Sequence, residues 1–206
     1  MPFDLNSFMA AGLQYGGARP SKFDVMLTLP VALGMPQTAA AQQKLTFTCK
    51  SASIPSSTIG EVPIPYFGRK IKSAGDRVWN DWRITVMLDE DYLTRQMFEY
   101  WSNSINAFQH NVMQAQLDGE LYKASWDINH YGKDGSYIAQ YTLNNAWPRD
   151  VGQITLDWEG TDRISQFDVT VAFDWMNPGN LVTAFPSATT GQVGAFGGQG
   201  QINYNV

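Results

Sequence analysis

Cysteine and histidine are almost missing from this chain. Cys49 is the single cysteine, and His110 and His130 are the two histidines. An internal disulfide is therefore excluded, and a His/Cys metal site nearly so. Charge is scarce as well: 16% of residues are Asp, Glu, Lys or Arg, against roughly 25% in an ordinary globular domain. The net charge of −5 argues against a protein that grips nucleic acid by its phosphates, which needs a basic footprint. No uninterrupted apolar run approaches the ~20 residues that span a bilayer. Met1-Pro2-Phe3-Asp4 shows neither the basic start nor the apolar run of a signal peptide, so a reducing cytoplasm is the expected folding compartment. Nucleophile-elbow, phosphate-loop and dinucleotide glycine patterns are absent, and no cofactor is expected. From Pro178 to Val206 there is no charged side chain at all.

What is present centres on the stretch from Ile54 to Trp101. Its first unit is an extended arm, Ile54 to Tyr66. Pro55, Pro63 and Pro65 each fix φ and remove a backbone donor, so the arm suits an edge strand or a projecting loop. A basic segment follows, with Arg69, Lys70, Lys72 and Arg77 crowded together and Gly75-Asp76 read as its turn. Next comes a strand, Trp82 to Leu88, whose alternate residues Trp82, Ile84, Val86 and Leu88 form a buried face. Asp89, Glu90 and Asp91 then sit where a helix N-terminus favours negative charge. Leu93, Met97, Trp101, Ile105 and Phe108 recur at helical spacing, predicting one amphipathic helix over about Glu90 to Gln109. The three acids read as that helix start rather than as a cation site.

The rest of the chain reads as β. Residues 1–20 form an arm broken by Gly12, Gly16, Gly17 and Pro20. Ser21 to Pro30 alternates as a strand, and Val31 to Gln43 reads as a loop. Lys44 to Ser53 alternates as a second strand through Leu45, Phe47 and Cys49. After a connection over His110 to Gly119, strands are expected at Glu120 to His130 and Ser136 to Asn145, joined by the turn Tyr131 to Gly135. Trp147-Pro148 reads as a corner. A last hairpin is expected from Ile154–Trp158 and Phe167–Trp175. The sum is a mainly β fold with one flanking α-helix, an antiparallel β-sandwich or half-open barrel. The domain is expected over 21–176, with a charge-free, Gly-rich tail at 177–206. Spaced apolar residues in that tail, from Phe185 to Tyr204, suit docking on a neighbouring subunit.

The order of these elements resembles the tail tube proteins of contractile-tailed, T-even-like bacteriophages. The residues that carry it are Y-F-G-R-K-I-K-S-A-G-D-R (Tyr66–Arg77), N-D-W-R-I-T-V-M-L (Asn80–Leu88) and the acidic helix start with its helical Trp101. The likeness is densest over Ile54 to Ala107 and looser from Leu121 to Trp175. It implies a structural virion protein that closes into hexameric rings stacked as a hollow tube, assembled in the host cytoplasm. Implied partners are further copies of itself, the tail sheath, baseplate and terminator proteins, and the tape measure protein and DNA in the lumen; no membrane is implied. Inter-ring and inter-subunit contacts are then expected from Glu61, Tyr66, Arg69, Lys70, Lys72, Arg77, Asp89, Glu90 and Asp91, with the arm and basic segment acting as a long hairpin. Asp157, Asp168 and Asp174 are candidates for a negative lumen that repels DNA. Two related readings share the fold: a tube of a contractile injection or secretion system, and a tube-initiating baseplate protein. Outside that class stands a carbohydrate-binding module or glycosidase using aromatic platforms and carboxylates. Trp82, Trp101, Trp158 and Trp175 fall at inward positions of the expected elements, which favours a packing role and a protein without catalysis.

Overall fold

Two strands show most directly how side-chain alternation becomes a sheet. Trp82, Ile84 and Val86 are buried along one strand, and Phe167, Val169 and Val171 along its neighbour. Each pair in the antiparallel register (Trp82 with Val171, Ile84 with Val169, Val86 with Phe167) turns its side chains to the same side. The computed structural model describes residues 5–9, 17–113 and 121–179. Its elements are α1 (Leu5–Phe8), β1 (Phe23–Thr28), a 3-10 turn at Val31–Leu33, α2 (Thr38–Thr48), β2 (Cys49–Ala52), β3 (Ser57–Tyr66) and β4 (Arg69–Trp79). They continue with β5 (Trp82–Met87), α3 (Leu93–Ile105), β6 (Ala124–Tyr131), β7 (Tyr137–Val151), β8 (Gln166–Ala172) and β9 (Trp175–Pro178). Seven strands form one antiparallel sheet in the order β1-β6-β7-β8-β5-β2, with β9 also paired to β7. β3 and β4 form a separate two-stranded sheet.

β7 makes the large sheet fold over on itself. Its first part pairs with β6 and β9, and from Trp147 onward it pairs with β8. The bend falls at Asn145, whose φ of 56° is a left-handed conformation that Asn tolerates better than most residues. The expected corner at Trp147-Pro148 is thus a continuous strand, bent two residues earlier, with Pro148 opposite Val171. Helix α3 closes the core with Leu93, Met97, Phe98 and Trp101. Trp126 lies edge-on to Trp82 at 5.3 Å and stacked with Phe98 at 6.1 Å. Phe98 meets Phe167 edge-on at 6.2 Å. The Trp101 indole N–H donates to the Tyr122 carbonyl at 2.8 Å, so its polar edge is satisfied inside the core.

The mainly β, antiparallel class is as expected, but two substantial helices flank the sheet instead of one. The expected strand Lys44 to Ser53 is α2 running into the short β2. Ala39, Ala40, Ala41, Gln42, Gln43 and Lys44 are strong helix formers, and Ala41 and Leu45, one turn apart, are its buried residues. The Leu45/Phe47/Cys49 alternation misleads because Phe47 is 75% exposed. Helix α3 is shorter than expected: it ends at Ile105, and Phe108 lies beyond it, exposed.

The expected hairpin return Ile154–Trp158 is a loop. Both edges of β8 are already occupied, by β5 and β7, so no further strand can pair with it. Trp158 stands fully exposed at 104%, and Trp175, which begins β9 on the other half of the sheet, is 42% exposed. Neither belongs to the core, whereas Trp82 and Trp101 do. Among the described residues no helix is long and apolar enough to cross a membrane. Most of the expected N-terminal arm, the connection at 114–120 and the charge-free tail from 180 onward lie outside the described residues.

Candidate functional site

The hairpin β3–β4 is the feature the rest of the molecule does not explain. Its turn is Phe67-Gly68, with φ of 42° and 78°, flanked by the pair Tyr66 and Arg69. Positive φ at both central residues matches the right-handed twist of the strands. Gly75-Asp76, the expected turn, lies instead within β4 at a register irregularity opposite Ile59 to Glu61. A Cβ on Gly75 would sit 3.1 Å from the Gly60 carbonyl oxygen, so the two backbones approach at a distance that glycine permits.

The register divides the hairpin into two faces. Val62, Ile64, Tyr66, Ile71 and Val78 share one, with Arg69 near the tip. Glu61, Pro63, Pro65, Lys70, Lys72 and Arg77 share the other. On the polar face Lys72 meets Glu61 at 2.8 Å, both well exposed, a pair that contributes little to stability in water. Arg77 donates to the Ser57 hydroxyl at 2.6 Å and lies over the Trp79 ring. Among the described residues nothing covers the apolar face: Val62, Ile64, Ile71 and Val78 are 50–60% exposed. Phe67 at the tip is 90% exposed, edge-on to Tyr66 at 4.7 Å. The base of the hairpin meets the body where Trp79 lies 5.9 Å from Phe173. A lone two-stranded hairpin is marginal in water, and an uncovered apolar face of this kind marks an interaction surface.

The acidic trio before α3 is partly used within the subunit. The Asp89 carboxylate accepts the Leu93 and Thr94 backbone N–H groups at 3.2 and 3.4 Å and the Thr94 hydroxyl at 2.7 Å. Burial pushes the Asp89 carboxyl up, but hydrogen bonds from Thr94 and Lys44 outweigh it and hold it below the usual value. Lys44 bridges Asp89 at 3.0 Å and Asp91 at 2.6 Å; hydrogen bonds to Asp91 and then Asp89 raise its own pKa. Glu90 is exposed.

The three carboxylates considered for a lumen do not form one cluster. Asp157 and Asp168 line a common groove beneath the loop at 152–165. Asp157 accepts the Glu159 N–H at 3.0 Å, and Asp168 accepts the Thr85 hydroxyl at 2.7 Å. Asp174 lies past the other end of β8, held by Lys123 at 2.9 Å and Asn145 at 3.0 Å; the Lys123 hydrogen bond first of all lowers its pKa. The alternation that suggested a buried strand at Ile154–Trp158 concealed the most exposed aromatic of the described chain. Gly152 and Gly160 bracketing it are the sequence signal that it is a loop.

Residues 18–177 match the family model described as phage tail tube protein. The chain is 35% identical over 159 residues to tail tube protein gp19 of Enterobacteria phage T4, covering 77% of this chain and 90% of that protein. It matches the corresponding protein of Enterobacteria phage T6 to the same extent. A tail tube protein of Serratia phage KSP90 is 26% identical over 140 residues, covering 66% of this chain and 78% of the relative. Among solved structures, a chain of the anti-feeding prophage baseplate shares the fold with a TM-score of 0.55 at 14% identity, covering 79% of this chain and 95% of that one. The chain belongs to the phage tail tube protein family, whose members are structural tail components and not enzymes.

Proposed function

We propose that six copies close into a ring, that rings stack into a hollow tube within a contractile sheath, and that the lumen passes DNA. The observation that carries this reading is the projecting hairpin, whose apolar face the described residues of a single copy leave uncovered. Burying one Ile or Val of that face contributes about 1.5–3 kcal/mol when complete, so the face gains most by meeting a neighbouring copy. Among the described residues the outer strands β1 and β2 each pair on one side only, as does the short β9. Pairing those edges between copies removes an aggregation hazard and extends the sheet around a ring. The solved relative with this fold comes from a baseplate described as 6-fold symmetrised. Other structures with the same fold are described as a sheath/tube terminator and a sheath-tube complex of a contractile injection system. Sheath, baseplate and terminator proteins are accordingly the partners we assign, with a tape measure protein and DNA inside the tube.

In this reading residues 21–176 are the tube-forming domain and the terminal segments are arms. Arg69, Lys70, Lys72 and Arg77 offer positive charge to an acidic surface of an adjoining copy. Asp157, Asp168 and Asp174 are the lumen candidates, where negative charge keeps the DNA backbone from sticking. Negative-stain electron microscopy of the purified chain across a concentration series tests the assembly. Six-fold rings or hollow rods are the expected result. Monodisperse monomers at every concentration, even with purified baseplate as a nucleus, would refute it.

A further inference from the structure

The groove under the loop at 152–165 takes part in no contact described so far. It encloses about 1080 Å³. Leu156, Trp158 and Ile164 are 76%, 104% and 69% exposed, so three large apolar side chains stand open around it. Three of its charged groups are already engaged. Asp157 accepts the Glu159 N–H, Asp168 accepts the Thr85 hydroxyl, and Lys50 donates to the Gln166 side chain at 2.8 Å. Gln153, Thr155 and Ser165 add neutral hydrogen-bonding groups to the lining. The occupant that fits is an extended segment with one apolar face and no charge.

The chain itself contains such a segment. Residues 180–206 lie beyond the family match, which stops at 177, and none of them carries a charged side chain. The last six read Gln201-Ile202-Asn203-Tyr204-Asn205-Val206. Polar and apolar residues alternate strictly there, the pattern of an extended segment with one buried face. Entering an apolar groove strips a charged group of its hydration at great cost, whereas amides and apolar side chains lose far less. The reach is sufficient. No more than about 45 Å of strand separates the groove at Gln166 from Gly179, just past β9. Residues 180–201 can extend to about 70 Å. A segment tethered to the same copy meets the groove at a roughly millimolar effective concentration, well above that of free copies in a dilute solution.

We infer that residues 201–206 fold back into the groove of their own copy, with Ile202 and Tyr204 against Leu156, Trp158 and Ile164. The tail is then a built-in cover for an apolar opening that a free subunit would otherwise present to other proteins. The contact lies within one copy and does not depend on the tube reading.

The test uses the full chain at a concentration where it sediments as a monomer. Cys49 is replaced by Ala, so that the introduced thiols are the only ones. One variant carries Leu156→Cys with Ile202→Cys, the other Lys133→Cys with Ile202→Cys. Lys133 sits in the turn before β7, whose Gln140 adjoins Gly179; a tail without a site meets it at least as often as Leu156. Both are treated with a short bis-maleimide, digested and mapped by mass spectrometry. Links within one chain from position 202 to position 156 are expected, with few from 202 to 133. Leu156→Cys alone should also react with a monomaleimide about tenfold more slowly than the same chain carrying Ile202→Asp and Tyr204→Asp, because carboxylates do not seat among apolar side chains. A single cooperative melt in both chains keeps misfolding out of the comparison. Equal labelling rates overturn the inference, as does linking at 133 that matches linking at 156. Links between chains would place another copy's tail in the groove and overturn the internal contact. Failure to form rings or rods at higher concentration refutes the tube and leaves the tail contact standing.

Discussion

Replacing Val62, Ile64 and Ile71 together by Thr separates assembly from folding. The substitution keeps β-branching, so the strand preference of β3 and β4 is retained, and it makes the apolar face polar. Among the described residues these side chains are about half exposed, and the main contacts of β3 and β4 are with each other. Their loss should therefore change monomer stability by no more than about 0.5 kcal/mol, as for ordinary surface positions. In the assembly the remaining half of each side chain is buried. At about 1.5–3 kcal/mol for complete burial, half of three side chains amounts to roughly 3 kcal/mol per hairpin contact. Because 1.4 kcal/mol is a tenfold change, the concentration needed for polymerisation should rise about 100-fold. Sedimentation of rods across a dilution series measures that concentration, and differential scanning calorimetry of the subunit measures the melt. An unchanged polymerisation threshold would refute the assignment of this face to a contact. A melt lowered in step with the threshold would show that the hairpin stabilises its own subunit, and that the division between fold and assembly is wrong.

Four further outcomes follow from the body of the subunit. Asp89→Ala removes an acceptor from two N–H groups of α3 and leaves the buried Thr94 hydroxyl without its partner; loss of a cap and of a buried bond predicts about 2–4 kcal/mol, read from the denaturation midpoint. Because the folded Asp89 carboxyl lies below its unfolded value, its contribution is complete above pH ~4 and disappears as pH falls through the folded value. The stability gap between wild type and Asp89→Asn should thus hold from pH 7 to pH 5 and close in acid; a gap that widens in acid contradicts the cap. Trp126→Ala should cost about 3–5 kcal/mol, since the ring joins Trp82 and Phe98 at the centre of the core, and a midpoint within error of wild type would be inconsistent with that packing. Cys49 is partly covered, and desolvation raises its thiol to about 12, so in the native state it should react with a chromogenic disulfide at pH 8 more slowly than after unfolding; native-state labelling at the rate of a free thiol would contradict that shift.

The parts of the fold that the sequence discloses are those in which a single periodicity acts alone. β5 and β8 alternate cleanly because each has one buried face, and α3 keeps its apolar stripe because one side lies on the sheet. α2 was hidden by competing signals. Leu45, Phe47 and Cys49 alternate, yet only the helix former run Ala39 to Lys44 and the one-turn spacing of Ala41 and Leu45 match what is buried. The loop at 152–165 was hidden for a similar reason, since Ile154, Leu156 and Trp158 alternate without any free strand edge to pair with. Edge occupancy is a property of the sheet order, which local pattern does not contain. The hairpin was legible as a proline-marked arm plus a basic run, but its turn was misplaced. Phe67 takes the left-handed conformation that Gly75 was expected to supply, while Gly75 serves the close approach to Gly60.

The same hairpin also shows how a subunit with so much uncovered apolar surface avoids random association. Pro63 and Pro65 occupy alternate positions of β3 opposite Lys72 and Lys70. Proline has no N–H, so both fit only where the donor would point away from β4. The outer edge of β3 is thereby stripped of two successive ladder donors and cannot readily accept another strand. On β4, Lys70 and Lys72 place charge on an otherwise open edge, a further barrier to edge-to-edge pairing between like copies. With the edges closed, what remains available is the side-chain surface: an apolar face, an aromatic tip and a ring of positive charge. Recognition by such a surface requires a complementary concave acidic site, not another extended backbone.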